Sequence, residues 1–167
     1  MQWVNDSLLS LLRPPTDSDP TYWLFTLNTE TGNFQRILNL KNDLWIKWSP
    51  DGQKLLYSYT DPSTSERDLY LMNMSDLQEI KLIDAENVSD CTWSIDNKTV
   101  YCADKDSFVT LDTSSSSPAF VKVITKFKGD ISSFSDGAIN LLLSSAENYL
   151  IFKTPSDNKL YSLPFGQ

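Results

Sequence analysis

A chain of 167 residues that is 40% hydrophobic and carries 5 Trp, 7 Tyr and 8 Phe has enough apolar surface for a core of its own, which argues against disorder. Its formal net charge is −8, and its 14 Lys and Arg form no basic run, which excludes a phosphate-binding surface for nucleic acid or an anionic membrane. It has no histidine, which removes Ser-His-Asp and Cys-His catalysis and imidazole-ligated zinc.

Along the chain, Met1–Asp6 has no basic segment and the apolar stretch Leu8–Leu12 is short, so no signal peptide is expected. No apolar run approaches a membrane span. A recurring pattern starts at Trp3. Trp3, Trp48 and Trp93 lie 45 residues apart, each followed by a polar turn with an Asp three positions on (Asp6, Asp51, Asp96) and then an apolar strand. The segment LFTLN (24–28) matches LYLMN (69–73), FVTLD (108–112) and LYSLP (160–164). In the first unit TYWLFTLN precedes the turn TETG, where Gly32 supplies a left-handed residue, and the strand FQRIL.

The second unit is the clearest. LWIKW (44–48) alternates, with Leu44, Ile46 and Trp48 on one face. Ser49-Pro50-Asp51-Gly52 is a turn, with proline fixing φ and glycine left-handed. KLLYSY (54–59) is apolar on both faces, as a strand buried on both sides should be. DPSTSER (61–67) is a polar loop, DLYLMN (68–73) a third strand and QEIKLI (78–83) a half-solvated outer one. In the fourth unit the turn is SAEN (145–148), between INLLLS and YLIFKT; FSDG (134–137) is a decoy inside a long loop.

Four-stranded units recurring every 40–45 residues predict an all-β fold, a β-propeller of four blade-like repeats at about 1–43, 44–88, 89–136 and 137–167. The first unit begins at the tail of its first strand and the last stops after its third. The expectation is therefore a fragment of a larger propeller, or a homodimer closing an eight-bladed ring, because open end blades expose apolar faces.

Trp48-Ser49-Pro50-Asp51-Gly52, followed by KLLYSY and DLYLMN, resembles the WD40-like (PD40) repeat of TolB-type β-propellers. It is also similar to the repeats in the propeller domains of prolyl-oligopeptidase-type peptidases. Trp93–Asn97 and Trp3–Ser7 are weaker copies. The resemblance implies a fold and a habit of binding partners, and no reaction. The catalytic residues of those peptidases lie in a separate α/β-hydrolase domain, and no Gly-x-Ser-x-Gly elbow occurs in this sequence.

Trp3, Trp48 and Trp93 recur at the structural period and are read as packing between blades. Trp23 and Trp45 are off that pattern and are the candidate contact residues. Cys91 and Cys102 flank the Asp96-Asn97 turn symmetrically; a cross-strand bridge is sterically imaginable, but buried thiols are the favoured reading. With no third soft ligand they form no metal site. The acidic clusters Asp17-Ser18-Asp19, Asp84–Glu86 and Asp104-Lys105-Asp106 lack calcium-loop spacing and read as solvated turns. Sequons stand at Asn5, Asn73, Asn87 and Asn97.

No catalytic residue, metal or cofactor is expected. The functional expectation is a non-enzymatic binding or scaffold domain for a protein or peptide partner, without nucleic acid or membrane insertion. The loops Pro14–Thr21, Thr60–Arg67 and Thr125–Gly137 are its candidate contact surfaces. The alternative is an accessory, substrate-gating propeller of a larger hydrolase or a cell-envelope protein. No compartment is assigned.

Overall fold

In a computed structural model the described residues are 1–82, 90–104, 107–114, 119–126, 139–154 and 158–164. They fall into two compact units, Met1–Val88 and Ser89–Gln167. No helix among them is long and apolar enough to cross a membrane.

The first unit is an antiparallel meander in which every strand pairs with the next. Its strands are β1 (Gln2–Trp3), β2 (Leu8–Arg13), β3 (Tyr22–Asn28), β4 (Phe34–Trp48), β5 (Lys54–Thr60), β6 (Arg67–Asn73) and β7 (Glu79–Leu82). FQRIL and LWIKW, read as two strands, are the two halves of β4. Its first half pairs with β3 and its second with β5. The direction changes where Leu40 and Asp43 take positive φ (51° and 49°), in residues with no glycine to advertise a bend.

The two sheets sharing β4 pack face to face. Leu24 and Leu38 from the first meet Leu44, Trp48, Leu55, Tyr57 and Met72 from the second. Alternation along each strand delivers these residues to one side. β5 is buried on both faces from Leu55 to Ser58, as the KLLYSY pattern predicts, and β7 is the half-exposed edge.

The second unit has a four-stranded sheet of β8 (Cys91–Trp93), β9 (Thr99–Asp104), β10 (Ser107–Asp112) and β11 (Ala119–Lys126). Its three-stranded sheet is β12 (Ile139–Leu143), β13 (Tyr149–Lys153) and β14 (Leu160–Pro164). Phe108 of the larger sheet meets Leu141, Leu150 and Phe152 of the smaller, with the Phe108 and Phe152 rings edge to face at 5.2 Å. The fourth turn is SAEN, between β12 and β13, as the sequence predicts; FSDG lies outside the described residues.

The repeating turn is built alike three times. Ser49, Ser94 and Ser144 each donate their backbone N–H to the residue five positions on. Their hydroxyls accept backbone N–H groups from Lys54, Asp96 and Tyr149 respectively. The left-handed position falls on Gly52 (φ 71°), Asn97 (φ 59°) and Glu147 (φ 52°). In the first copy the turn is one residue shorter, and Asn5 rather than Asp6 caps it, its Oδ1 accepting the N–H groups of Ser7 and Leu8.

Two expectations are corrected. Trp48 and Trp93 are buried at 6% and 7% exposure, but Trp3 is 60% exposed. It stands opposite Leu9 on the face of the first sheet that points away from Leu24, and no other sheet of its unit covers that face. Cys91 and Cys102 are not free thiols. They face each other in the β8–β9 register, with Cα atoms 4.0 Å apart, and form a disulfide.

Candidate interaction site

Register brings the candidate contact residues to one end of the first unit. Arg13 pairs with Trp23, Tyr22 with Lys41, Asn42 with Thr60, and Thr60 with Arg67. The connections 14–21 and 61–66 and the bend of β4 therefore lie along one rim.

The 14–21 connection is clamped by Asp19. Its carboxylate accepts from Arg13 (2.6 Å), from the Thr21 hydroxyl (2.5 Å) and N–H (3.1 Å), and from Trp23 Nε1 (3.3 Å). Thr16 and Asp19 also exchange backbone hydrogen bonds at 2.8 and 3.1 Å. The Thr21 hydroxyl, then the Arg13 guanidinium, hold the Asp19 carboxyl down at about 2. Trp23, a candidate contact residue by its place off the repeat, is not an open one. It is half-buried, with the guanidiniums of Arg13 and Arg36 each 5.3 Å from its ring centroid. Phe25 and Phe34 continue the row, stacked at 6.3 and 5.2 Å.

Trp45 is exposed, as expected, at 50%. The bend of β4 turns Asp43 so that its carboxylate accepts both Trp45 Nε1 (3.3 Å) and the Arg67 guanidinium. Arg67 is itself fixed by Ser58 Oγ (3.3 Å) and Thr60 Oγ1 (3.2 Å). Beside them Leu40 is 63% exposed. Behind the rim Lys41 sits 3.8 Å from the Tyr59 ring centroid, and Tyr57, Tyr59 and Tyr70 stack on one another. Tyr57 donates its hydroxyl to Glu79; burial, then that carboxylate, pushes its phenol well above the ordinary range.

The rim offers a tethered indole, apolar side chains and a braced guanidinium, groups that anchor protein and peptide surfaces. Among the described residues no group of three or more His, Cys, Asp and Glu could hold a metal ion. In the Asp17-Ser18-Asp19 cluster, Asp19 is committed to Arg13. Asp84–Glu86, Lys105-Asp106, Asn87 and most of Thr125–Gly137 lie outside the described residues. Sequence reasoning missed Arg13 and Arg36, which meet Trp23 only through strand register, Arg67, which register brings to Asp43, and Asp43 itself, two residues from Trp45. The one local signal was an arginine closing each polar loop or apolar strand.

The class these sheets define is an all-β fold resembling β-propeller proteins, and comparison with solved structures agrees. TolB from Acinetobacter baumannii is similar at a TM-score of 0.59 and 14% identity, over 96% of this chain and 41% of that one. An oligogalacturonate lyase in complex with manganese is similar at 0.60 and 14%, over 98% and 46%. The β-propeller domain of the Trilobed protease from Pyrococcus furiosus is similar at 0.61 and 13%, over 96% and 52%. The chain thus spans about half the length of these proteins or less. No protein-family model matches it, and no curated protein does.

Proposed function

We propose that this chain is a non-enzymatic binding or scaffold domain of WD40-like, TolB-type propeller character. Its strands form four blade-like units, and its partner is a protein or peptide. The observation that carries the reading is Trp45, held half-exposed by the Asp43–Arg67 pair at the rim that also gathers the 14–21 and 61–66 connections. An indole fixed before binding loses little side-chain entropy when a partner covers it.

The test is a selection of random displayed peptides against the immobilised protein. Selected peptides are expected to weaken at least about tenfold on Trp45→Ala or Arg67→Ala, as anchor residues do. Peptides that bind both variants unchanged would remove the rim from the reading.

A second reading is an accessory propeller of a larger hydrolase, favoured by the similarity to the propeller domain of the Trilobed protease. In that case natural sequence flanking this chain would encode an α/β catalytic domain.

A further inference from the structure

The packing inside each unit has a direction. In the first unit the Trp48 face of the second sheet covers the Leu24 face of the first. In the second unit the Leu143 face of β12–β14, in which Leu143 takes the place of Trp48, covers Phe108 of the sheet before it. Within each unit the later sheet thus turns its Trp-type face to the opposite face of the earlier one.

Two faces carry exposed large apolar side chains instead. On the first sheet the Trp-type face carries Trp3 (60% exposed) and Phe34 (56%), linked in register through Leu9 and Leu27, with Phe25 stacked on Phe34. On β12–β14 the opposite face carries Leu142 (57% exposed), Tyr149 (42%) and Leu160 (67%). Leu160 is the repeat counterpart of Leu24 and Leu69, both 0% exposed. Trp3 and Leu160 thus stand open where their repeat counterparts are buried, and the two faces are of the kinds that meet inside each unit.

We infer that the Trp3–Phe25–Phe34 face of one copy packs on the Leu142–Tyr149–Leu160 face of a second copy of this chain, and that the contact is made twice in a twofold dimer. The inference rests on the propeller reading above but not on the rim. The occupant is a sheet rather than a helix or a peptide, because each face is several strands wide and of the kind that meets a sheet inside each unit. Such a face measures roughly 15–20 Å on a side, so two contacts bury on the order of 1,200 Å², the lower bound for a stable dimer.

Sedimentation equilibrium over a range of concentrations tests this. The expected mass is twice the 19.0 kDa of the chain. Trp3→Glu/Phe34→Glu and Leu142→Glu/Leu160→Glu are each expected to raise the dissociation constant at least about tenfold. Their equimolar mixture keeps one complementary contact of the two and is expected to associate more tightly than either variant alone. A monomeric wild type overturns the inference, as does a dimer that both variants leave intact. A mixture that associates no more tightly than either variant alone also overturns it, in favour of like faces pairing. All four positions are exposed, and near-ultraviolet circular dichroism checks folding, with Trp3→Ser and Leu160→Ser as milder replacements. Trp45→Ala should leave the mass unchanged, so failure of the rim and failure of the dimer are read separately.

Discussion

Gly52→Ala is the most informative single substitution in the first unit, because two separable costs meet there. Gly52 has φ 71°, and an added Cβ would lie 2.8 Å from Val4 Cγ1 and 2.9 Å from Asn5 Nδ2. A left-handed alanine costs about 1–2 kcal/mol, offset by roughly 0.4–1 kcal/mol of reduced unfolded-state entropy. Moving Asn5 aside endangers its bond to the Asp51 carbonyl (3.3 Å) and its cap on Ser7 and Leu8 (3.1 and 2.9 Å). Each such bond is worth about 1 kcal/mol. Together the loss is about 2–3 kcal/mol. Gly32→Ala is the control, since Gly32 has nearly the same φ (73°) with nothing within 4 Å of its would-be Cβ. It should lose about 1 kcal/mol or less. Urea unfolding followed by tryptophan fluorescence measures both, and Asn5→Ala should reduce the excess at Gly52. Equal losses at the two glycines would refute the reasoning, because only Gly52 lies against another turn.

Three further outcomes are expected. Reducing the Cys91–Cys102 bridge, which spans 11 residues, should lower stability by about 2–3 kcal/mol through loop entropy; identical urea curves with and without reductant would contradict it. Leu77→Gly should raise stability by up to about 1 kcal/mol, because Leu77 holds φ 56° at the hairpin position that Gly32 fills in the first unit; a lower urea midpoint would show that Leu77 packing outweighs its strain. Asp19 titrates at about 2, below the ordinary 3.8. A depressed folded-state pKa contributes order that is complete above pH 4 and lost as pH falls towards 2. The Trp23 indole N–H resonance should therefore move with a midpoint near 2, and an ordinary carboxylate midpoint would rule out the clamp.

What the sequence made legible was local. The Trp-Ser-Pro-Asp-Gly turn and the two-sided apolar strand after it are specified by residues within ten positions of each other, and both form as read. The fourth turn was found by the same spacing, although its left-handed residue is Glu147 and no glycine marks it. The continuity of β4 was hidden for a related reason: Leu40 and Asp43 bend the backbone with no glycine or proline to mark the place. The disulfide was half legible. Counting from the Asp96-Asn97 turn places Cys91 opposite Cys102, but whether thiols that close become a bridge is decided by backbone approach, which counting does not reveal.

The tryptophans show why burial was harder to read than strand or turn. Trp3, Trp48 and Trp93 occupy one repeat position, yet their exposures are 60%, 6% and 7%. A repeat specifies which way a side chain points, because strand alternation is local. It does not specify whether another sheet stands there, because that depends on the neighbour. The rim obeys the same logic in reverse. Trp23 breaks the repeat and was a candidate contact, but Arg13 lies ten residues before it and Arg36 thirteen after, and the two cover it only once β2, β3 and β4 are in register. Trp45 stays open because its tether, Asp43, is two residues away and turned by the bend. Contacts this close in sequence are the ones a reading of the chain can anticipate.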